Sequence, residues 1–304
     1  MIYKELIIET PEQEIDERCA RLAELGIGGF VIENEADFRA FLENNRQYWD
    51  YVDRELEDSF RGLSRIKCYI EDSEEGERQF EQVSALYPVT VNIIADDDWD
   101  NRWKSYYKPL RIGEKLLVVP DWEDASEEGR INLRLEPGLM FGTGSHPTTS
   151  MSLAAMEKYA APGKKVLDLG CGSGILGIGA LILGADTCVG CDIDAKAPDI
   201  VMENAALNGI GSDRMRVLAG DITKDASLRR MLGTGYDIVL ANIVSDVILA
   251  IAPFVRSFMA DGGVFITSGI IDDRASELKA ALERAGFTII AHYHEGEWHC
   301  FECK

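Results

Sequence analysis

The sequence predicts an α/β protein: a doubly wound, mostly parallel sheet over residues 111–304, preceded by a small α+β domain over residues 1–95 and a helical linker over 96–110. Three observations carry this. From Lys165 onward, short buried-strand runs alternate with helical runs, the pattern of parallel strands joined by crossover helices. A glycine-rich turn joins the first of those strands to its helix. The amino-terminal part alternates shorter strands and helices and carries no comparable motif.

The elements follow in order. Tyr3–Ile8 alternates like a strand, and Pro11 opens a helix through Leu25 with Ile15, Cys19, Leu22 and Leu25 on one side and Gly26 as its stop. Strands are expected at Gly29–Glu33, Ile66–Ile70 and Val89–Ala95, with a helix at Gly76–Leu86; Asp58–Ser64 suits no element clearly. This alternation at small size suggests a ferredoxin-like sandwich. Asp96–Pro109 reads as a helix entered by acidic residues and ended by proline. The larger domain has strands at Lys165–Leu169, Thr187–Asp192, Arg214–Leu218, Tyr236–Ala241 and Gly263–Ser268. Its helices are Gly174–Leu183, Asp199–Asn208, Val247–Phe258 and Asp272–Ala285. Phe287–His294 and Glu297–Cys303 flank Glu295-Gly296, so the sheet ends in an antiparallel hairpin.

Composition narrows the function. Hydrophobic residues make up 46% and charged residues 28% of the 304, ordinary for a folded globular chain. No apolar run approaches the roughly 18 residues that cross a bilayer, and the amino terminus lacks a basic segment followed by an apolar one. The 7 cysteines are scattered, which suits reduced thiols in a cytoplasm. Thirty-one Lys and Arg against 53 Asp and Glu give a net charge of −22. With no basic stretch to neutralise phosphates, direct nucleic-acid binding is not expected. The field would steer a basic protein toward this surface, although on charge alone solubility is the favoured reading.

The chemistry is expected around Gly170-Cys171-Gly172-Ser173-Gly174, entered from the strand that ends Asp168-Leu169. Glycines there allow a tight turn and let a ligand lie close to the backbone. The spacing is Gly-x-Gly-x-Gly, not the Gly-x-Gly-x-x-Gly of dinucleotide sites, which disfavours a nicotinamide dehydrogenase. Asp168, two residues before the first glycine, suits a ligand with a cationic ammonium and no pyrophosphate, as in S-adenosyl-L-methionine. Asp192 lies 22 residues after Gly170, where a carboxylate's two oxygens match the two hydroxyls of a ribose. Asp221, after the third strand, reaches toward an adenine amino group or is a solvated loop acid. Asn242, after the fourth, sits where substrate would meet the cofactor, or caps the following helix. Cys188/Cys191 and Cys300/Cys303, the latter beside His299, have half the spacing of a zinc site. Residues three apart on a strand face opposite ways, so packed thiols are the expectation and no metal site is assigned.

The stretch Leu135-Glu136-Pro137-Gly138-Leu139-Met140-Phe141-Gly142-Thr143-Gly144-Ser145-His146-Pro147-Thr148-Thr149 closely resembles the signature before the cofactor loop in the PrmA-type ribosomal protein methyltransferases. The resemblance extends to the tryptophan-bearing linker, Asp168–Gly174, Asp192-Ile193-Asp194, Glu203-Asn204-Ala205 with Asn208-Gly209, Ala241-Asn242-Ile243, Ser268-Gly269-Ile270 and Glu297-Trp298. It covers roughly residue 96 to the end, while the first domain matches in size and style. It implies a class I methyltransferase sheet of seven strands, S-adenosyl-L-methionine as cofactor, and methylation of lysine side chains and the α-amine of ribosomal protein L-eleven, which the first domain would recognise. It places the cofactor on Thr149, Gly170, Asp192 and Asn242, with Phe141, Thr143 and His146 in a loop over it; Gly172, Asp168 and Asp221 complete the expected site. A monomer is expected. Ala195 stands where the family has proline and Pro198 where it has an aliphatic residue; both fall in the first turn of a helix, where Pro is tolerated.

Overall fold

The computed structural model describes residues 2–28, 30–44, 58–95, 108–136 and 146–304. The expected linker helix thus falls largely outside the described residues, as do Phe141 and Thr143. Backbone contacts divide the chain into two compact units, Met1–Tyr106 and Tyr107–Lys304.

In the first unit, β1 (Ile2–Glu9), β2 (Phe30–Asn34), β3 (Ser64–Glu71) and β4 (Thr90–Ala95) form an antiparallel sheet in the order β2-β3-β1-β4. This is the ferredoxin-like order. Alternate residues of β1 and β3 turn Leu6, Ile8, Ile66, Cys68 and Ile70 inward, where Ile15 and Leu22 of α1 (Ile15–Glu24) meet them. α1 ends where expected, at Gly26 with φ +80°. A helix not expected, α2 (Glu35–Asn44), follows β2, opened by the Asn34 side chain accepting from the Asp37 amide at 2.6 Å. α3 (Glu74–Leu86) starts at Ser73, whose hydroxyl accepts from the Gly76 amide. Gly76 is required there because a Cβ would lie 1.9 Å from the Glu71 carbonyl oxygen.

The second unit opens with a three-stranded sheet absent from the sequence expectation: β5 (Leu110–Ile112), β6 (Leu116–Pro120) and β7 (Ile131–Leu135), with β6 and β7 parallel. After α4 (Pro147–Met156) come β8 (Lys165–Leu169), α5 (Ile175–Ile182), β9 (Thr187–Asp192), α6 (Ala197–Leu207), β10 (Met215–Ala219), α7 (Ala226–Leu232) and β11 (Tyr236–Asn242). α8 (Ser245–Val255), β12 (Met259–Ile271), α9 (Asp272–Arg284), β13 (Ile289–Glu295) and β14 (Trp298–Cys303) complete the unit. The seven-stranded sheet runs β10-β9-β8-β11-β12-β14-β13, parallel except for β14, which is antiparallel to both its neighbours. Pro198 lies in the first turn of α6, as expected, whereas Ala195 falls in the turn ahead of it, two residues before the helix begins.

Each face of this sheet carries a core. α4, α5 and α6 close one through Leu153, Met156, Ile178, Leu181, Val201 and Ala205; α7, α8 and α9 close the other through Leu228, Ile248, Ile251, Leu278 and Leu282. Cys188 and Cys300 belong to the first core, Cys191 and Cys303 to the second, so each pair is split across the sheet. Burial pushes the thiols of Cys191, Cys300 and Cys303 up to about 12, which keeps them protonated and unreactive. No helix among the described residues is long and apolar enough to cross a membrane.

Candidate active site

The carboxyl ends of β8, β9, β11 and β12 meet on one edge of the sheet, the side where open α/β sheets hold ligands. The glycine turn after β8 has φ of +71°, +51° and +82° at Gly170, Gly172 and Gly174. Its shape is held by the Cys191 carbonyl, which accepts from the Gly170 and Cys171 amides at 2.7 and 3.1 Å. The reason for glycine differs in part from the sequence expectation. A Cβ on Gly170 would lie 2.0 Å from Ile243 Cγ2, and one on Gly174 would lie 2.7 Å from Val201 Cγ1. These two glycines therefore let the loop pack on its own neighbours, the segment after β11 and helix α6.

Asp192 closes the loop from the neighbouring strand. Its Oδ2 accepts from the Gly172 amide at 2.8 Å and its Oδ1 from the Asp194 amide at 3.0 Å. A carboxylate has about four acceptor positions, so two remain for the hydroxyls of a ribose. Asp168 lies wholly beneath the loop. Its Oδ2 accepts from the Gly177 amide at 2.9 Å, while its Oδ1 has no hydrogen-bond partner among the described residues. Burial pushes its pKa up to about 7, the Gly177 amide acts against that, and the charge of Asp192 adds to it. A cationic ammonium bound above the loop is the kind of charge that would compensate this carboxylate, so the residues present fit a ligand carrying one.

Asn242 ends β11, and its Nδ2 donates to Thr149 Oγ1 at 3.2 Å across 93 residues of sequence. Thr149 is buried in the first turn of α4, which His146 caps: His146 Nδ1 accepts from the Thr148 amide and lies 2.7 Å from the Thr148 hydroxyl. The His146 ring stands edge-on to Trp298, centroids 4.6 Å apart at 72°, and burial lowers its pKa, favouring the neutral ring. The segment after Asn242 is clamped by Gly269, where a Cβ would lie 2.3 Å from the Ile243 carbonyl oxygen. Asp221 is occupied by its own loop: Oδ1 accepts from the Thr223 hydroxyl and amide and Oδ2 pairs with Lys224 at 3.0 Å, which holds its pKa below the ordinary value.

Two asparagines that the sequence showed only as part of a resemblance have a positioning task. Asn204 on α6 donates to the Ser173 carbonyl at 2.9 Å and accepts from the Glu136 amide at 3.0 Å, tying the glycine turn to the end of β7. Asn208, one turn on, accepts from the Arg134 amide at 2.8 Å and donates to the Arg134 carbonyl at 2.7 Å, as a neighbouring strand would. Their four-residue spacing on one helix face was the signal available in the sequence.

Comparison with known proteins matches the chain to one family. Residues 2–304 match the family described as ribosomal protein L11 methyltransferase (PrmA). A ribosomal protein L11 methyltransferase of Pelotomaculum thermopropionicum is 36% identical, the match covering 98% of this chain and 97% of that protein. One from Desulforamulus reducens is also 36% identical, over 100% and 99% of the two chains. The crystal structure of a ribosomal protein L11 methylase from Lactobacillus delbrueckii subsp. bulgaricus superposes with a TM-score of 0.59 at 30% identity, covering 65% of this chain and 98% of that one. With its glycine turn, its strand-end acids and a match over almost its whole length, this chain belongs to the ribosomal protein L11 methyltransferase (PrmA) family.

Proposed function

We propose that this protein transfers methyl groups from S-adenosyl-L-methionine to lysine side chains and the α-amine of ribosomal protein L11, acting as a cytoplasmic monomer. The carrying observation is the convergence of Asp192 on the glycine turn, and of Asn242 on Thr149, at one edge of the sheet in a chain of this family. When bound, the cofactor supplies an electrophilic methyl group on a sulfonium. Asp192 holds the ribose hydroxyls, Gly170 and Gly172 shape the turn beneath, and Asp168 sets a negative charge below the ammonium. Thr149 fixes Asn242. Asp221 reaches the adenine amino group by giving up its pairing with Lys224, an exposed ion pair worth little. Phe141, Thr143 and His146 belong to a loop that covers the cofactor.

Catalysis here is mainly orientation of two reactants. With Asn242 Nδ2 donating to Thr149, the side-chain carbonyl accepts from the incoming amine and aims its lone pair. The amine attacks only when neutral. A lysine with a pKa near 10.4 is neutral less than about once in a thousand at pH 7, so desolvation beside a positive sulfonium raises that fraction. Residues 1–95 recognise the protein substrate, 96–110 link them to residues 111–304, and no nucleic acid is bound directly.

The test is transfer of labelled methyl to purified L11, with bulk RNA and free lysine as parallel acceptors. Label on L11 alone, lost in Asp192→Ala, is expected; label on RNA in its place would overturn the substrate. Asn242→Ala is expected to lower kcat by more than any accompanying loss of S-adenosylhomocysteine affinity, and full kcat would remove the role given to Asn242.

A further inference from the structure

Three of the four histidines of this chain lie on the terminal hairpin. His292 and His294 alternate along β13, and His299 on β14 is the cross-strand partner of His294, so all three share one face. The rings of His294 and His299 stack at 4.3 Å and 12°, those of His292 and His299 at 5.0 Å and 18°. Asp272, the first residue of α9, faces them, placed there by its amide donating to the Glu297 carbonyl at 3.0 Å. Its Oδ1 lies 2.7 Å from His299 Nε2 and 3.0 Å from His294 Nε2.

We propose that Asp272 Oδ1, His294 Nε2 and His299 Nε2 form a binding site for one divalent transition-metal ion of the zinc class. Two imidazoles and a carboxylate suit zinc, cobalt or nickel far better than magnesium or calcium, which prefer oxygen alone. The three ligand atoms lie within 4.8 Å of one another. Around a tetrahedral ion with bonds near 2.0 Å, ligand atoms stand about 3.3 Å apart, so the carboxylate spacings here need to open only slightly, while one of the two stacked rings must turn about its Cβ–Cγ bond for both Nε2 lone pairs to meet at the ion. The outer shell is present as well. His292 Nε2 sits 2.7 Å from His299 Nδ1, so His299 can donate its Nδ1 proton to His292 and turn the Nε2 lone pair to the ion. Asp272 and His294 are about half exposed, which gives the ion a path in and leaves the fourth position to water. Bound there, the ion would join α9, β13 and β14 at the edge of the sheet that carries the active site, one strand position from Trp298.

The experiment uses the full, untagged chain, stripped with chelator and given zinc, cobalt or magnesium separately. One equivalent of zinc is expected to remain after dialysis, with Tm raised by roughly 5 °C at saturating zinc and unmoved by magnesium. Cobalt is expected to give visible d–d absorption without a thiolate charge-transfer band. His294→Ala is a half-exposed substitution; it is expected to abolish the zinc shift while S-adenosylhomocysteine binding stays unchanged. His292→Ala is expected to weaken zinc roughly 10–100-fold. No zinc-dependent shift, the same shift in His294→Ala and Asp272→Asn, or a thiolate band would each overturn the site, leaving a hydrogen-bonded His–His–Asp chain or a cysteine as the metal's holder.

Discussion

Gly170 shows how one missing Cβ sets an active-site backbone. Its φ of +71° and the 2.0 Å approach of Ile243 to a built Cβ act together. Gly170→Ala is therefore expected to cost about 1–3 kcal/mol in backbone strain alone, with a further loss from the clash. Thermal unfolding checks the stability, and S-adenosylhomocysteine titration is expected to show weakened binding. Asp168 supplies the pH prediction. Its pKa is raised on folding, from an ordinary value near 4 to about 7. Between those values the unfolded chain has released the proton and the folded chain still holds it, so its contribution to stability falls as pH rises through that window and is level above about 7. Urea midpoints taken from roughly pH 5 to 8 are expected to fall less in Asp168→Asn than in the parent chain; equal slopes would remove the carboxylate from the explanation.

At the scale of elements, the site depends on ties between segments distant in sequence. Asn204 holds the Ser173 carbonyl and the Glu136 amide at once. Asn204→Ala leaves both groups to find other partners, with an expected loss of about 1–3 kcal/mol for each left unpaired. Its signature is a lowered Tm together with weakened S-adenosylhomocysteine binding; weakened stability with intact binding would make Asn204 a packing residue only. Strands β8 and β9 were legible to the residue, because their mostly apolar, buried runs sit between polar turns and β8 leads straight into the glycine turn. α2, α7 and β5–β7 were not. α2 and α7 are short and carry charged residues among their apolar ones, and β5 has only three residues, so their periodic signal is weak. α4 hides because its start, His146-Pro147-Thr148-Thr149, reads as the tail of a glycine-rich loop until the His146 cap is seen.

For the whole molecule, a net charge of −22 sets long-range behaviour that no single pair explains. Such a field would draw in a basic protein substrate, and salt screens it over about 10 Å at 0.1 M. kcat/KM toward L11 is expected to fall as salt rises from roughly 0.05 to 0.5 M, while affinity for S-adenosylhomocysteine changes little. Parallel decline of both would place the salt effect in the cofactor site instead.

By itself the sequence determined the α/β class, the strand order of the glycine turn and its acids, and the family, because these rest on local periodicity and on motifs read along the chain. Tertiary structure alone decided which side chains meet. Asp192 reaches the Gly172 amide, Asn242 reaches Thr149, and Asp272 meets two hairpin histidines through contacts that span 20, 93 and up to 27 residues. A distance of that kind is fixed by how strands register and helices pack, and neither leaves a periodic trace in the residues being joined.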